Sequence, residues 1–175
     1  MSVSPCGCTW ITVCSDGDLL MPQLVKGGKH VFGWSKVGAK GTIPLPSDAR
    51  KEYHLSPKDN VILCSGSKTS GGFSIIKEDV FRVSQLFSLL DANARLEIFQ
   101  SAKDVPITYK KRIFSWTEIR DDGSIHLPLE TLQMFGIQPG DQLLVARGSG
   151  LGMGFLVRGP IIQEAQRHTD LPLFE

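Results

Sequence analysis

The sequence predicts a mainly β protein with short helices, an α+β chain, built on an internal duplication. Three observations carry that expectation. Residues 31–77 align without a gap on residues 113–159, and one constant step of 82 positions takes Phe32 to Phe114 and Asp59 to Asp141. Within each copy, short runs rich in β-branched and aromatic residues alternate with Gly, Pro and Asp turn signals. Between the copies lies a stretch whose apolar residues recur with helical spacing.

The shared residues fall where geometry or packing is demanding. They include Trp34/Trp116, Gly41/Gly123, Ile43/Ile125, Pro46/Pro128, Gly72/Gly154 and Phe73/Phe155. Other pairs keep apolar character without identity, such as Val37/Ile119, Tyr53/Phe135 and Leu63/Val145. Each copy therefore fills a similar core. A unit of about 47 residues is marginal alone, so the copies are expected to share one core, within the chain or with a second chain.

Taken in order, residues 1–30 form an N-terminal extension, with a short strand at TWITVC and a turn at Ser15, Asp16 and Gly17. Copy one, residues 31–77, opens with a strand over 31–37. A hairpin turn follows at Gly41, where a positive φ suits glycine, and the chain returns as TIPLP. A short helix follows from Pro46 to about Tyr53, with Ser47 and Asp48 placed to satisfy its first amides, and it stops before Pro57. The LSPKD turn, in which Asp59 bonds backbone amides, leads to the strand VILC, the loop GSKTSGG and the strand FSII.

Copy two, residues 113–159, repeats this order: IFSWTEI, a turn at 121–123, SIHLP, a helix over 128–135, the turn GIQPGD, the strand LLVA, the loop GSGLGMG and the strand FLV. The connector, residues 78–112, carries a broad apolar face of Val80, Phe81, Val83, Leu86, Phe87 and Leu90. Asp91 then caps a second helix bearing Leu96, Ile98 and Phe99. Residues 160–175 give a last short helix over 161–168 and the tail LPLFE.

The ordered set D-G-S-I-x-L-P, a short helix, G-I-x-P-G-D and an apolar strand, at residues 122–145, resembles the AbrB/MazE/SpoVT family of DNA-binding domains. Copy one carries it as K-G-T-I-P-L-P and L-S-P-K-D-N-V-I-L. The resemblance covers the two copies and implies a duplicated swapped-hairpin β-barrel with a helical connector, usually closed across a homodimer. It implies duplex DNA as the partner, contacted by basic side chains on the first strand, its turn and the start of the short helix. Carried over by position, these are Lys36, Lys40, Arg50 and Lys51 in copy one and Arg120 in copy two. The other matching positions of copy two hold Glu118, Asp122, Leu132 and Gln133.

Charge agrees with that asymmetry. Copy one has seven basic and three acidic residues, a balance of +4, whereas copy two has three basic and five acidic, a balance of −2. The whole chain stands at +1 over 175 residues, so no global field announces a polyanion partner. No apolar run reaches the roughly 20 residues of a membrane span, and MSVSPCGCTW lacks the pattern of a signal peptide, so cytoplasmic residence is expected.

The expected function is a DNA-binding transcriptional regulator, a homodimer or higher homo-oligomer, without a cofactor. The alternative is an antitoxin-like protein-interaction module that has kept the fold and lost DNA binding. Catalysis is not expected, because His30, His54, His126 and His168 stand in unrelated contexts. Neither glycine-rich loop carries the G-x4-G-K-[ST] motif of a phosphate-binding loop or leads from a strand into a helix. Cys6, Cys8 and Cys14 are weak metal candidates, since their spacing lacks the paired ligands of a zinc site.

Overall fold

The computed structural model describes residues 30–148 and 150–175. The strand expected at TWITVC, and Cys6, Cys8 and Cys14, lie outside the described residues. Copy one comprises β1 (Val31–Lys36), β2 (Thr42–Pro44), α1 (Ser47–Glu52), β3 (Asn60–Ser65) and β4 (Phe73–Lys77). The connector holds α2 (Glu78–Arg82), α3 (Gln85–Ser88), α4 (Ala92–Gln100) and β5 (Ile107–Tyr109). Copy two follows as β6 (Arg112–Glu118), β7 (Ser124–His126), α5 (Leu129–Met134), β8 (Gln142–Arg147) and β9 (Gly152–Leu156), and the chain ends in α6 (Pro160–Ala165) and β10 (Leu173–Phe174).

The protein is thus mainly β with short helices, and its strands pair chiefly between the copies. Strand β1 runs antiparallel to β8 of the other copy, and β3 runs antiparallel to β6. The registers match under the 82-residue step: Trp34 faces Leu144, and Ile62 faces Trp116. Two further ladders join equivalent strands. In β2 with β7, Ile43 faces Ile125, and in β4 with β9, Phe73 faces Phe155, so each of these residues opposes its own counterpart. An approximate twofold axis therefore passes through both pairs.

The turns repeat the exchange. Backbone groups of Val37 bond Gly140 and Asp141 of copy two, and those of Ile119 bond Lys58 and Asp59 of copy one. Within each turn the aspartate caps as expected, Asp59 accepting from Ser56 N–H and Asp141 from Gln138 N–H, both at 2.8 Å. Gly41 and Gly123 take φ of +83° and +78°, the left-handed conformation expected for the hairpin turns.

The strands do not close into one hydrogen-bonded barrel. The main sheet runs β10-β1-β8-β9-β4-β3-β6-β5 and ends in two edges, while β2 and β7 pair only with each other. Each of those two strands has three residues, and Pro44 has no N–H to donate toward β1. Side-chain hydroxyls span the gap instead, Ser35 Oγ donating to Pro44 C=O and Thr117 Oγ1 to His126 C=O at the matching position.

Other differences from expectation are local. Ser47 and Asp48 lie inside the first turn of α1, so Pro46 stands at the cap and no side chain caps the helix. The loop GSGLGMG is shorter than expected, because β9 starts at Gly152 to pair with β4. Val83 does not join the connector's apolar face, being 87% exposed at the end of α2, while Phe81 and Leu90 are buried. Strands β5 and β10 were not expected. They add to β6 and β1, the two positions related by the duplication. Gly33, at φ +133°, leaves room for the tail, since a Cβ there would meet Pro172 O at 2.5 Å.

Successive residues of the central strands feed different cores. Val61, Leu63, Leu143 and Val145 point into a shared core with Ile43, Ile125, Phe73 and Phe155. Ile62 and Cys64 point the other way, into a layer covered by Phe81, Leu90, Ala94 and Ile98 of the connector. Leu144 and Ala146, their counterparts, lie under Ile162, Ala165 and Leu171. This two-sided burial explains why these strands read as continuous apolar runs.

Two measurements test this arrangement. Phe73 and Phe155 stack on the axis with ring centroids 4.9 Å apart, both about fully buried. Phe155→Ala and Phe73→Ala are each expected to cost about 3–5 kcal/mol in urea denaturation, with the double substitution costing less than the sum. A loss under about 1 kcal/mol would remove the axis pair from the core. Asp91 caps α4 as expected, and the Ala94 N–H, then the Tyr109 hydroxyl, hold its carboxyl below the usual range. A lowered folded pKa gives stability that is present above about pH 4 and lost as pH falls through the lowered value. The midpoint gap between the native chain and Asp91→Ala should therefore be widest near neutrality and narrow below about pH 4, and a constant gap would contradict it.

Candidate nucleic-acid interface

The exchange of strands brings turn residues of both copies onto one surface. Lys40 precedes Gly41 between β1 and β2, and Arg120 stands at the corresponding corner between β6 and β7. Leu127 N–H donates to Gly41 C=O, and Leu45 N–H to Gly123 C=O, so each hairpin turn is tied to the other copy. As a result Lys40, Arg120 and Lys103 line one groove of about 430 Å³ together with Thr42 and His126. All three cations are exposed, and none makes an ion pair among the described residues.

Two carboxylates share the groove, Asp104 and Glu118. Lys58 approaches Glu118 at 3.8 Å and Asp121 at 3.5 Å, which offsets the acidic corner of copy two. Asp104 holds a positive φ of 66°, its N–H bonds Trp116 C=O at 2.9 Å and its own C=O accepts from Thr131 Oγ1, so it fixes the loop that carries Lys103. Asp122, the counterpart of Lys40, has a local role. It accepts from Ser124 Oγ at 2.6 Å and from Ser124 N–H at 2.9 Å, and these bonds hold its carboxyl below the usual range. The acid at this position of copy two builds the turn.

The remaining predicted cations stand elsewhere. Lys36 lies on β1 with Nζ 2.7 Å from Glu175 Oε1, beside a cavity of about 660 Å³ also lined by Val37, Pro44 and Pro139. Arg50 is half-buried. Its Nε donates to Leu45 C=O at 3.3 Å, and its guanidinium covers Gly123, where a Cβ would lie 2.5 Å from Cζ. The second copy has Leu132 at that position, fully buried, so the site is one of packing in both. Lys51 is open to solvent, with Asp48 Oδ1 at 3.7 Å.

Of the five cations the resemblance singles out, the groove thus gathers Lys40 and Arg120 and adds Lys103, which the motif does not contain. No spacing in the sequence marks Lys103, because the loop holding it meets the turns only through β6. The histidines remain scattered apart from His126, and no cluster of three His, Cys, Asp or Glu side chains that could hold a metal occurs among the described residues. Cys64 is buried, and burial pushes its thiol up, which suits a core side chain rather than a nucleophile. No helix among the described residues is long and apolar enough to cross a membrane. No family model, curated protein or solved structure matches the chain.

Proposed function

We propose that the chain is a DNA-binding transcriptional regulator of the AbrB/MazE/SpoVT type, whose two copies form the swapped-hairpin unit inside one polypeptide. Support for the fold comes from the exchange of β1 and β6 between copies, with registers that repeat under the duplication. The single observation that carries the DNA reading is the convergence of Lys40, Arg120 and Lys103 on one groove without ion-pair partners among the described residues. Exposed cations of this kind neutralise phosphates and displace counterions, and an arginine adds a bidentate contact. Lys51, exposed on α1 away from the groove, is a further phosphate contact, and a homodimer doubles the set.

A second reading is supported by the connector. Val83, Leu89 and Leu96 are 87%, 70% and 54% exposed, an apolar surface suited to a protein partner.

Binding of the full chain to random-sequence duplex DNA across a salt series, beside a mass measurement in solution, separates the two. Replacing Lys40, Lys103 and Arg120 together by glutamine is expected to weaken binding across sequences and to reduce the slope of log affinity against log salt by about 0.9 per cation. Arg50→Gln should lower stability and leave that slope in place. An unchanged slope in the triple variant would remove the groove as the contact, and an absence of binding at low salt would favour the interaction module.

A further inference from the structure

On the side of the molecule that carries the glycine-rich loops, four cations surround a cavity of about 600 Å³. Lys68 comes from the loop between β3 and β4, Lys110 and Lys111 from the turn between β5 and β6, and Arg112 from the start of β6. Among the described residues, no carboxylate lines this cavity and none of the four cations makes an ion pair. The Lys110 ammonium lies over the Tyr109 ring at 5.1 Å, and Arg112 reaches the Cys64 thiol at 3.9 Å, so both are held at the rim. Ser74 also lines the cavity, and its hydroxyl makes no hydrogen bond among the described residues.

The supports are rigid. Lys110 and Lys111 take φ of 46° and 67°, the conformation of a tight two-residue hairpin turn, closed by Tyr109 opposite Arg112. The Lys68 carbonyl accepts two bonds from the Arg158 guanidinium, which fixes its loop. Ile76, Leu86 and Leu151 add apolar lining to the cavity. Gly66, Gly148 and Gly152 answer to backbone packing, since a Cβ at each would meet a carbonyl oxygen at about 2 Å. Anion recognition here rests on side chains.

The duplication supplies an internal comparison. An adjoining cavity of about 410 Å³, which shares Gly66, Ser67, Ser74 and Gly148 with this one, has Arg147 and His30 at the positions that match Ser65 and Arg112. Arg147 there is paired to Glu52, with Nε 2.5 Å from Oε1, so its charge is answered within the protein. Among the described residues, the larger of the two cavities gathers the set of cations without ion pairs.

We propose that this cavity binds a small organic phosphate, the phosphate held by Lys68, Lys111 and Arg112 and its less polar part laid against Ile76, Leu86 and Leu151. Its volume is in the range of small-molecule sites, and cations arriving from three elements around a concavity suit a compact anion better than a linear backbone. The proposal stands apart from the DNA reading and uses none of the groove residues.

Calorimetric titration of the full chain with inorganic phosphate, a nucleoside monophosphate and the corresponding nucleoside tests it. The monophosphate should bind saturably and at least about tenfold more tightly than inorganic phosphate, and the nucleoside should not bind. Lys111→Gln and Arg112→Gln should each weaken the monophosphate by about tenfold, with unfolding midpoints unchanged, while Lys103→Gln has no effect. Absence of saturable binding, equal affinity for inorganic phosphate or nucleoside, or an unaffected Lys111→Gln/Arg112→Gln double variant would overturn it. So would loss of duplex DNA binding in that double variant when the full chain takes up no small phosphate, which would make these cations part of a nucleic-acid surface.

Discussion

Neither copy of the repeat can satisfy its own first strand, and the fold follows from that constraint. Strand β1 has its long ladder with β8, and β6 has its long ladder with β3, so the backbone groups of each copy are paired by the other. A free copy would leave these ladders open and expose Ile43, Phe73 and their neighbours to water, a loss that a unit of this size has little other burial to offset. Exchange solves both problems at once. It also requires the copies to stay alike along the exchanged strands and free to differ elsewhere, which is the pattern of identities and divergence along the chain.

The outer faces show what that freedom produced. Ile62 and Leu144 occupy matching places on the back of the sheet, yet three connector helices cover the first and α6 with the tail covers the second. Strands β5 and β10 likewise add to matching edges, one antiparallel and one parallel. A symmetric centre thus carries an asymmetric exterior. Chain connectivity forces this, because the connector must travel from the end of copy one to the start of copy two and the tail has no such task.

Much of the centre was legible in the sequence because its signals are local. The turn glycines Gly41 and Gly123, the capping aspartates Asp59, Asp91 and Asp141 and the short apolar strand runs each state their own geometry within a few residues. What was not legible depends on distant partners. Strands β5 and β10 have two or three residues and exist only because β6 and β1 offer edges. The exposure of Val83 depends on where α2 ends against the sheet. Helical spacing alone places that residue on the apolar face, and the early end of α2 turns it outward.

The functional surface was legible only in part for the same reason. Sequence position assigns Lys40 and Arg50 one role, but Lys40 stands open on a turn whereas Arg50 lies over Gly123 with its Nε occupied by a carbonyl. A cation that already has a fixed neighbour must break that contact to meet a phosphate, and a cation on an open turn need not. Counting charge by copy also misleads, since exchange mixes the copies: Lys40 and Arg120, from a basic copy and an acidic one, line the same groove. The useful unit for charge in this protein is the surface made by two copies together. On that measure the acids of copy two are largely occupied, Asp122 by its own turn and Glu118 and Asp121 by Lys58, which leaves Asp104 of the connector as the one carboxylate set against the groove's three cations among the described residues.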